Sequence, residues 1–276
     1  MQSTPLKILA LAALLSGIGP VLVRGSPVSP AATAFWRLAI AMPFALWTGR
    51  LALAMSRRDI GRAMVSGFLL AADLVFWNNA ILRTSIMEAT VLVMTFPLIV
   101  AVGEIWIFGR RLSPKLILGG LIALTGTVVI ASGKGPGNHN LVGDAMALAA
   151  ACLYAGSLMI SAQLCRRNDA SSVTLWVIFG AAVGTLPFAL AEPIILPATL
   201  ADLGYISFYG FITYGAYALY NSALSKLPTT LVAISGYAQP LIATSLAALL
   251  LNEIPSATSF VGALIIVAGL VLATKS

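Results

Sequence analysis

Residues 96–130 read FPLIVAVGEIWIFGRRLSPKLILGGLIALTGTVVI, and residues 239–273 read QPLIATSLAALLLNEIPSATSFVGALIIVAGLVLA. The two stretches share an early Pro-Leu-Ile and two glycines near the end, at a constant offset of 143 residues. Each contains the second half of one apolar segment and most of the next. A stretch of this length that occurs twice predicts a chain built from two copies of one unit.

The match extends well beyond these two stretches. Residues 75–133 align without a gap to residues 218–276, and the tetrapeptide Pro-Phe-Ala-Leu occurs at 43–46 and again at 187–190. Identical pairs along the alignment include Asn78/Asn221, Ala80/Ala223, Ser113/Ser256, Gly119/Gly262 and Gly126/Gly269. We therefore predict a first unit at residues 1–134, a linking loop at 135–140, and a second unit at 141–276.

The composition excludes a water-soluble domain. Of the 276 residues, 59% are hydrophobic and only 9% are charged, whereas about a quarter of a soluble domain is charged. A helix crosses a bilayer with ~20 mostly apolar residues. The sequence predicts an all-α integral membrane protein with ten such helices: 5–23, 30–49, 62–82, 87–109, 114–132, 141–164, 171–190, 202–222, 229–251 and 256–274.

The net charge of +7 is explained by topology rather than by a nucleic-acid partner. With a cytoplasmic N-terminus and ten crossings, twelve basic residues fall at cytoplasmic ends and three at outer ends. This distribution follows the positive-inside rule and predicts that both termini are cytoplasmic.

Five spans per unit is an odd number, so the second unit must be inserted upside down relative to the first. Arg83 is then expected at the outer surface and its counterpart Lys226 at the inner surface. Inverted repeats of this kind are a recurring transporter design, in which each half gates one side of the membrane. Duplicated channels and enzymes remain alternatives.

A proline lies near the middle of the fourth span and another in the ninth, at Pro97 and Pro240. Each removes a backbone donor and frees a carbonyl four residues earlier, at Val93 and Gly236. Because free backbone groups are tolerated inside a membrane only beside protein or water, matching breaks favour a central substrate cavity. A plain structural kink is the alternative.

Polar and aromatic residues cluster near the depth of the two prolines. We predict that they line the cavity together with Pro97 and Pro240: Trp77, Asn78, Phe96, Tyr154, Ser157, Tyr214, Tyr217, Asn221, Tyr237 and Gln239. Buried amides and phenols need partners, which a wet cavity supplies better than lipid does. Asn78 and Asn221 have a second interpretation, as hydrogen-bonding partners between helices.

Ionisable residues inside spans are candidates for function. We predict that Asp73 and Glu88 take part in gating or coupling; for Glu88, a structural ion pair with Arg83 is the alternative. For Glu104 we predict pairing or snorkelling near the cytoplasmic end, and for Arg37 a reach to the outer interface. Aromatic residues near span ends are expected to anchor the interfaces: Trp47, Trp106, Tyr205 and Tyr209.

Enzyme chemistry has no support in the sequence. It contains no G-x-x-x-x-G-K-[ST], H-E-x-x-H or G-x-S-x-G run, and no metal-ligand spacing. Cys152 and Cys165 are predicted to be packing residues. We expect no catalytic residues, no metal and no cofactor.

The paired blocks at 96–130 and 239–273, within ten spans in two repeats, resemble the drug/metabolite transporter superfamily, EamA type. The mid-span proline followed by a glutamate is present in the second unit as Pro240 and Glu253, whereas the first unit has Arg110 where Glu253 would stand. The resemblance implies export of amino acids or other metabolites for bacterial members, and carriage of nucleotide sugars or sugar phosphates for eukaryotic ones.

Among these, the chain is most similar to bacterial exporters of aromatic and neutral amino acids. That likeness implies a cavity formed by Trp77, Asn78, Phe96, Tyr154, Tyr217 and Gln239. We expect a multi-pass protein of the bacterial inner membrane, working as a monomer in the lipid bilayer on a small-molecule substrate. Alternatives are export of multiple drugs or another metabolite, an intramembrane lipid-processing enzyme, and a passive pore.

Overall fold

A computed structural model describes residues 3–49, 55–81, 83–84, 86–132, 140–251 and 257–275. Within these residues the chain is helical and contains no strand, which confirms the predicted all-α class. Six helical segments of the described chain are long and apolar enough to cross a membrane, and one of them, Ala89–Trp106, belongs to the predicted fourth span. The predicted linker lies outside the described residues except for Asn140, and Glu253 lies outside them altogether.

Twelve α-helices follow one another along the described chain. Their bounds are α1 Ser3–Arg24, α2 Pro30–Thr48, α3 Arg57–Ile81, α4 Ile86–Val93, α5 Phe96–Trp106, α6 Pro114–Ser132, α7 Leu141–Cys165, α8 Ala170–Leu190, α9 Leu200–Leu224, α10 Thr229–Ile234, α11 Ala238–Leu251 and α12 Ala257–Thr274. A single 3-10 turn, Ser235–Tyr237, lies between α10 and α11. Two of the ten predicted spans are therefore each divided into two helices.

The helices begin where the sequence supplies a cap or a proline. Proline is the first residue of α2 and of α6, where its missing N–H would have had no helical partner. Asn140 and Asp169 accept backbone N–H bonds at the starts of α7 and α8. Thr199 forms a reciprocal capping box with Asp202 at the start of α9.

The two interrupted spans break at matching positions. The fourth span stops at Val93 and resumes at Phe96, immediately before Pro97. The ninth stops at Ile234, passes through the 3-10 turn, and resumes at Ala238, two residues before Pro240. An offset of 143 residues takes 92–94 onto the turn at 235–237, so the two breaks overlap just before the corresponding prolines, each of which removes a backbone donor.

The helices α6 and α12 pack closely through the glycines predicted for that role. A Cβ on Gly126 would lie 2.7 Å from the Gly262 carbonyl oxygen, and one on Gly119 would lie 2.6 Å from the Gly269 oxygen. Because the position along α12 falls as the position along α6 rises, the two helices run antiparallel. Close approach of this kind needs small residues at the contact.

The helices α2 and α8 are antiparallel in the same way. Ser29, before α2, exchanges hydrogen bonds with Ile194, after α8, whereas Gly49 after α2 lies against Ser171 and Leu175 near the start of α8. Two other helices, α3 and α9, each pack against two neighbours. The helix α3 packs on α7 and α8, and α9 packs on α1 and α2.

Candidate functional site

The breaks in the two interrupted spans meet in the middle of the protein. A Cβ on Gly236, in the 3-10 turn, would lie 2.8 Å from Phe96 Cζ, at the start of α5. The Phe96 ring in turn packs edge-on against Tyr154 of α7, with 4.7 Å between ring centroids. Glycine at 236 therefore allows one broken helix to lie directly on the other.

A cavity lies beside this contact, between α3, α7, α8 and α9. Its volume of about 20 Å³ accommodates roughly one water molecule. The lining residues are Leu70, Tyr154, Ser157, Leu158, Ser161, Val177, Tyr217, Tyr220 and Asn221. In this conformation an amino acid does not fit, so binding of one requires the surrounding helices to separate.

Three serine hydroxyls join α3 to α7 at one wall of the cavity. Ser66 Oγ is fully buried and lies 2.9 Å from both Ser157 Oγ and Ser161 Oγ, and it donates to the Ser157 carbonyl oxygen. Of the three, only Ser157 was predicted as a site residue. The cluster satisfies its own hydrogen bonds, so it fixes the helix pair while leaving polar oxygens at the cavity wall.

Tyrosines of α9 connect the cavity to the break in the ninth span. The Tyr220 hydroxyl lies 3.2 Å from Ser16 Oγ of α1 and also reaches Ser235 and Gln239. Tyr217, three residues earlier, lies within electrostatic range of both Asp73 and Arg37. Tyr220 was not predicted as a site residue, although it completes this connection.

The Arg37 side chain is turned inward. Its Nη1 donates a 2.6 Å hydrogen bond to the Tyr209 hydroxyl of α9, and its Nε is buried without a partner among the described residues. Tyr209 itself is 1% exposed. The predictions that Arg37 reaches the outer interface and that Tyr209 anchors there are therefore wrong, because the two side chains hydrogen-bond to each other inside the protein.

Asp73 and Trp77 lie one turn apart on α3; Asp73 is buried and Trp77 is partly buried. Asp73 is 8% exposed, and within the described chain its carboxylate has no hydrogen bond and no direct ion pair. Its charge acts on Arg37 through space. The Trp77 indole N–H is also buried without a partner in the described residues. Two polar groups of α2 and α3, the Arg37 Nε and the Trp77 indole N–H, are thus buried without a partner in the described residues.

Several predicted site residues lie apart from the cavity or already have partners. The Tyr214 hydroxyl lies 2.7 Å from Thr48 Oγ1, and its ring stacks on Phe44, which places it against α2. Asn221 lines the cavity but donates to Thr174 of α8 at 2.8 Å.

The remaining predicted residues are placed as follows. Tyr237 is fully buried, and its hydroxyl has no partner among the described residues. Pro97 is buried, whereas Asn78, Gln239 and Pro240 are partly buried. The Glu88 side chain lies outside the described part of the structure.

Glu104 joins the two interrupted spans at the far end of α5. Its carboxylate is 1% exposed, accepts bonds from the Thr230 backbone N–H (3.1 Å) and hydroxyl (2.6 Å), and pairs with Arg110 at 2.6 Å. The predicted pairing of Glu104 is confirmed. Burial and the charge of Arg110 lower the pKa of Arg166, which follows α7 in the same region, and Glu104 opposes this effect. A carboxylate at the start of α10 also complements that helix dipole.

A sequence model of the EamA-like transporter family matches residues 5–132 and 141–275, which is nearly the whole chain and comprises two consecutive copies. The chain belongs to the EamA-like transporter family. This confirms the resemblance seen in the paired sequence blocks. Membership also establishes the chain as a multi-pass membrane protein of a transporter family, in agreement with its apolar helices.

Similarity to individual proteins extends over most of this EamA-like chain. A transporter of Archaeoglobus fulgidus is 27% identical over 205 residues, covering 71% of this chain and 69% of that protein. A protein of Escherichia coli strain K12, named as a probable amino-acid metabolite efflux pump, is 28% identical over 177 residues, covering 59% of this chain and 58% of the pump.

A solved crystal structure has the same fold as this EamA-like transporter. It superposes with a TM-score of 0.84 over 100% of this chain and 98% of the other, at 21% identity. The shared fold includes the whole described helical bundle.

Proposed function

We propose that this chain exports amino acids with aromatic or other apolar side chains across the bacterial inner membrane, as a secondary transporter or facilitator working by alternating access. The observation that carries the proposal is the meeting of two broken helices, Gly236 on Phe96, beside a buried group of aromatic and polar residues. Broken helices at a repeat interface are where transporters of this design bind substrate.

Alternating access requires the two halves to be inverted, and the packing supports this. If residues 141–276 repeat residues 1–134, then α6 corresponds to α12 and α2 to α8. Both corresponding pairs run antiparallel, as an axis lying in the membrane plane demands. Exchange of the halves also converts the contacts of α3 on α7 and α8 into those of α9 on α1 and α2.

The proposed substrate class follows from the chemistry around the cavity. Phe96, Tyr154 and Tyr217 supply aromatic surface, while Ser157 and Gln239 supply hydrogen-bonding groups. An apolar side chain with a small polar end matches such a lining. The Escherichia coli relative, whose name is that of an amino-acid metabolite efflux pump, supports the same class.

Transport in proteoliposomes tests the proposal. The purified chain is reconstituted, and counterflow of a panel of labelled amino acids is measured with and without a pH gradient. We expect saturable counterflow of aromatic and branched-chain amino acids, recovered chemically unchanged. Flux that fails to saturate indicates a pore instead, and conversion of the recovered molecule indicates an enzyme.

Export of drugs or other metabolites is the alternative within the same class. It predicts that cationic amphiphiles compete with the labelled amino acid, or are moved when amino acids are not. Absence of counterflow for every amino acid in the panel would overturn the proposed substrate class.

A further inference from the structure

One basic and one acidic side chain, Arg37 and Asp73, lie inside the protein without a direct ion pair between them in the described chain. Asp73 is 8% exposed and has no hydrogen bond or direct ion pair in the described chain, while Arg37 uses Nη1 on Tyr209 and leaves Nε buried and unpartnered there. The two side chains lie within electrostatic range of each other. Charges inside a membrane protein are costly, and those that persist are expected to have a function.

The two charges lie at the same depth. Gly67 packs on Val177–Ala181 and Gly184 on Phe68 and Ala71, so α3 runs parallel to α8 and therefore antiparallel to α2. Arg37 is seven residues from the start of α2, and Asp73 is eight residues from the end of α3. At 1.5 Å per residue, they lie about 10 and 12 Å below the same end of the bundle.

The pair adjoins the cavity and the aromatic residues around it. Leu70, which lines the cavity, is one helical turn from Asp73 on α3. Tyr154 and Tyr217, also in the lining, interact electrostatically with both charges. Trp77 lies one helical turn from Asp73 on the side away from Leu70, and its indole N–H has no partner in the described residues. The charges thus lie between an aromatic cavity and an available donor.

The fold does not require these charges. At the offsets that relate the two copies, 144 residues for the Pro-Phe-Ala-Leu tetrapeptides and 143 near α3, the counterparts of Arg37 and Asp73 are Ala181 and Ala216. Both alanines are buried, at 0% and 7% exposure. The second copy therefore packs the same positions with methyl groups, so the charges in the first copy serve something other than packing.

We propose that Arg37 and Asp73 bind the two charges of a zwitterionic α-amino acid, its carboxylate at the Arg37 guanidinium and its ammonium at the Asp73 carboxylate. The aromatic residues of the cavity then receive the side chain of the amino acid. Opposite charges that are near but not in contact suit a ligand that carries both of the complementary groups. This inference rests on the proposed amino-acid transport and specifies how the polar end is recognised.

The test compares ligands that keep or lose one charge. Phenylalanine is compared with 2-phenylethylamine and 3-phenylpropanoate, and leucine with 3-methylbutylamine and 4-methylpentanoate, as competitors of labelled amino-acid counterflow. For the wild type we expect each amino acid to compete about tenfold or more better than either fragment, because each lost charge-assisted hydrogen bond weakens binding by at least that factor.

Single substitutions give a signature that a merely structural role would not give. Arg37→Gln is expected to lose the preference for the amino acid over the amine while still rejecting the acid. The Asp73→Asn variant is expected to lose the preference for the amino acid over the acid while still rejecting the amine. Damage to packing would weaken competition by all ligands alike.

Removal of one buried charge leaves the other unbalanced, so the double variant Arg37→Gln/Asp73→Asn is made as well. The matched control is Arg58→Gln/Asp202→Asn, which makes the same changes at exposed helix starts. Folding is checked by size-exclusion elution and thermal midpoint. We expect the double variant to lose about tenfold or more in amino-acid competition, and the control to match the wild type.

The outcomes separate the two proposals. Amino-acid transport with fragments competing as well as amino acids, or a double variant that keeps the zwitterion preference, overturns the Arg37–Asp73 site and leaves the transport function intact. A wild type that moves no amino acid overturns the proposed function and this site with it. If the double variant does not fold, the proposed site is judged from the wild type alone, by whether amino acids compete better than the fragments that carry one charge.

Discussion

At the scale of single residues, the interior contains polar side chains of two kinds. Ser66, Ser157 and Ser161 satisfy one another across α3 and α7, so they stabilise a helix pair. The Trp77 indole N–H lacks a partner in the described chain, and the buried Asp73 forms no direct ion pair there. Unsatisfied buried groups cost free energy, which is why the second kind marks the place where a substrate is expected.

Substitution of Trp77 or Gln239 by alanine is predicted to abolish transport and leave the protein folded. Trp77→Ala removes an indole N–H that is buried without a partner among the described residues, and Gln239→Ala removes an amide next to the break before Pro240. Counterflow in proteoliposomes measures the rate, and size-exclusion elution checks the fold. Trp47→Ala is the matched control, because Trp47 is 67% exposed. Wild-type rates in both variants would remove these residues from the site.

Glu104 is predicted to contribute to stability through its three contacts. Glu104→Gln replaces a charged acceptor by a neutral one and leaves Arg110 without its partner, which we expect to lower the free energy of unfolding by about 1–3 kcal/mol. The thermal midpoint in detergent measures this. Glu192→Gln makes the same change where the carboxylate accepts one long bond of 3.4 Å, and an equal midpoint shift in both variants would contradict the prediction.

At the scale of helices, the sequence predicted the elements well because their causes are local. Apolar length and proline position depend on a few neighbouring residues, so α6 has the predicted bounds of 114–132, and both prolines interrupt their spans. The inward turn of Arg37 was not predicted, because it depends on Tyr209 from a helix 172 positions away.

The face that a residue occupies was also only partly predictable. Tyr214, Tyr217 and Asn221 follow one stripe of α9, but that stripe covers about 100° of the helix surface. Tyr217 and Asn221 line the cavity, whereas Tyr214 contacts α2. Periodicity identifies a stripe, and the neighbouring helices determine which part of it meets the cavity.

The glycine contact between α6 and α12 is predicted to tolerate no side chain. In Gly126→Ala the new Cβ would lie 2.7 Å from backbone atoms of Gly262 and Ile266, so the helices must move apart at a cost of about 1–3 kcal/mol. The thermal midpoint should fall. Gly61→Ala is the control, since a Cβ there meets nothing within 4 Å, and a fall of equal size in the control would show that backbone packing is not the cause.

At the scale of the whole molecule, the proposed inversion makes a prediction about sidedness. With Cys152 and Cys165 replaced by alanine, Arg83→Cys and Lys226→Cys introduce single thiols at corresponding positions of the two halves, both with exposed side chains. A membrane-impermeant maleimide should label the first in intact cells and the second only after permeabilisation. Labelling of both from the same side would refute the inverted arrangement.

The Glu104 contact has a thermodynamic consequence for a protein with duplicated halves. The residue 143 positions later is Ala247, so the second copy has no carboxylate at the position that corresponds to Glu104. If the two halves alternate as proposed, one access state has a stabilising contact that the other lacks, and the populations of the two states differ even without substrate. This difference in population affects which of the two conformational transitions limits turnover. At equilibrium, however, it cannot by itself make the substrate accumulate on one side of the membrane. Any uphill export must draw its energy from a second gradient.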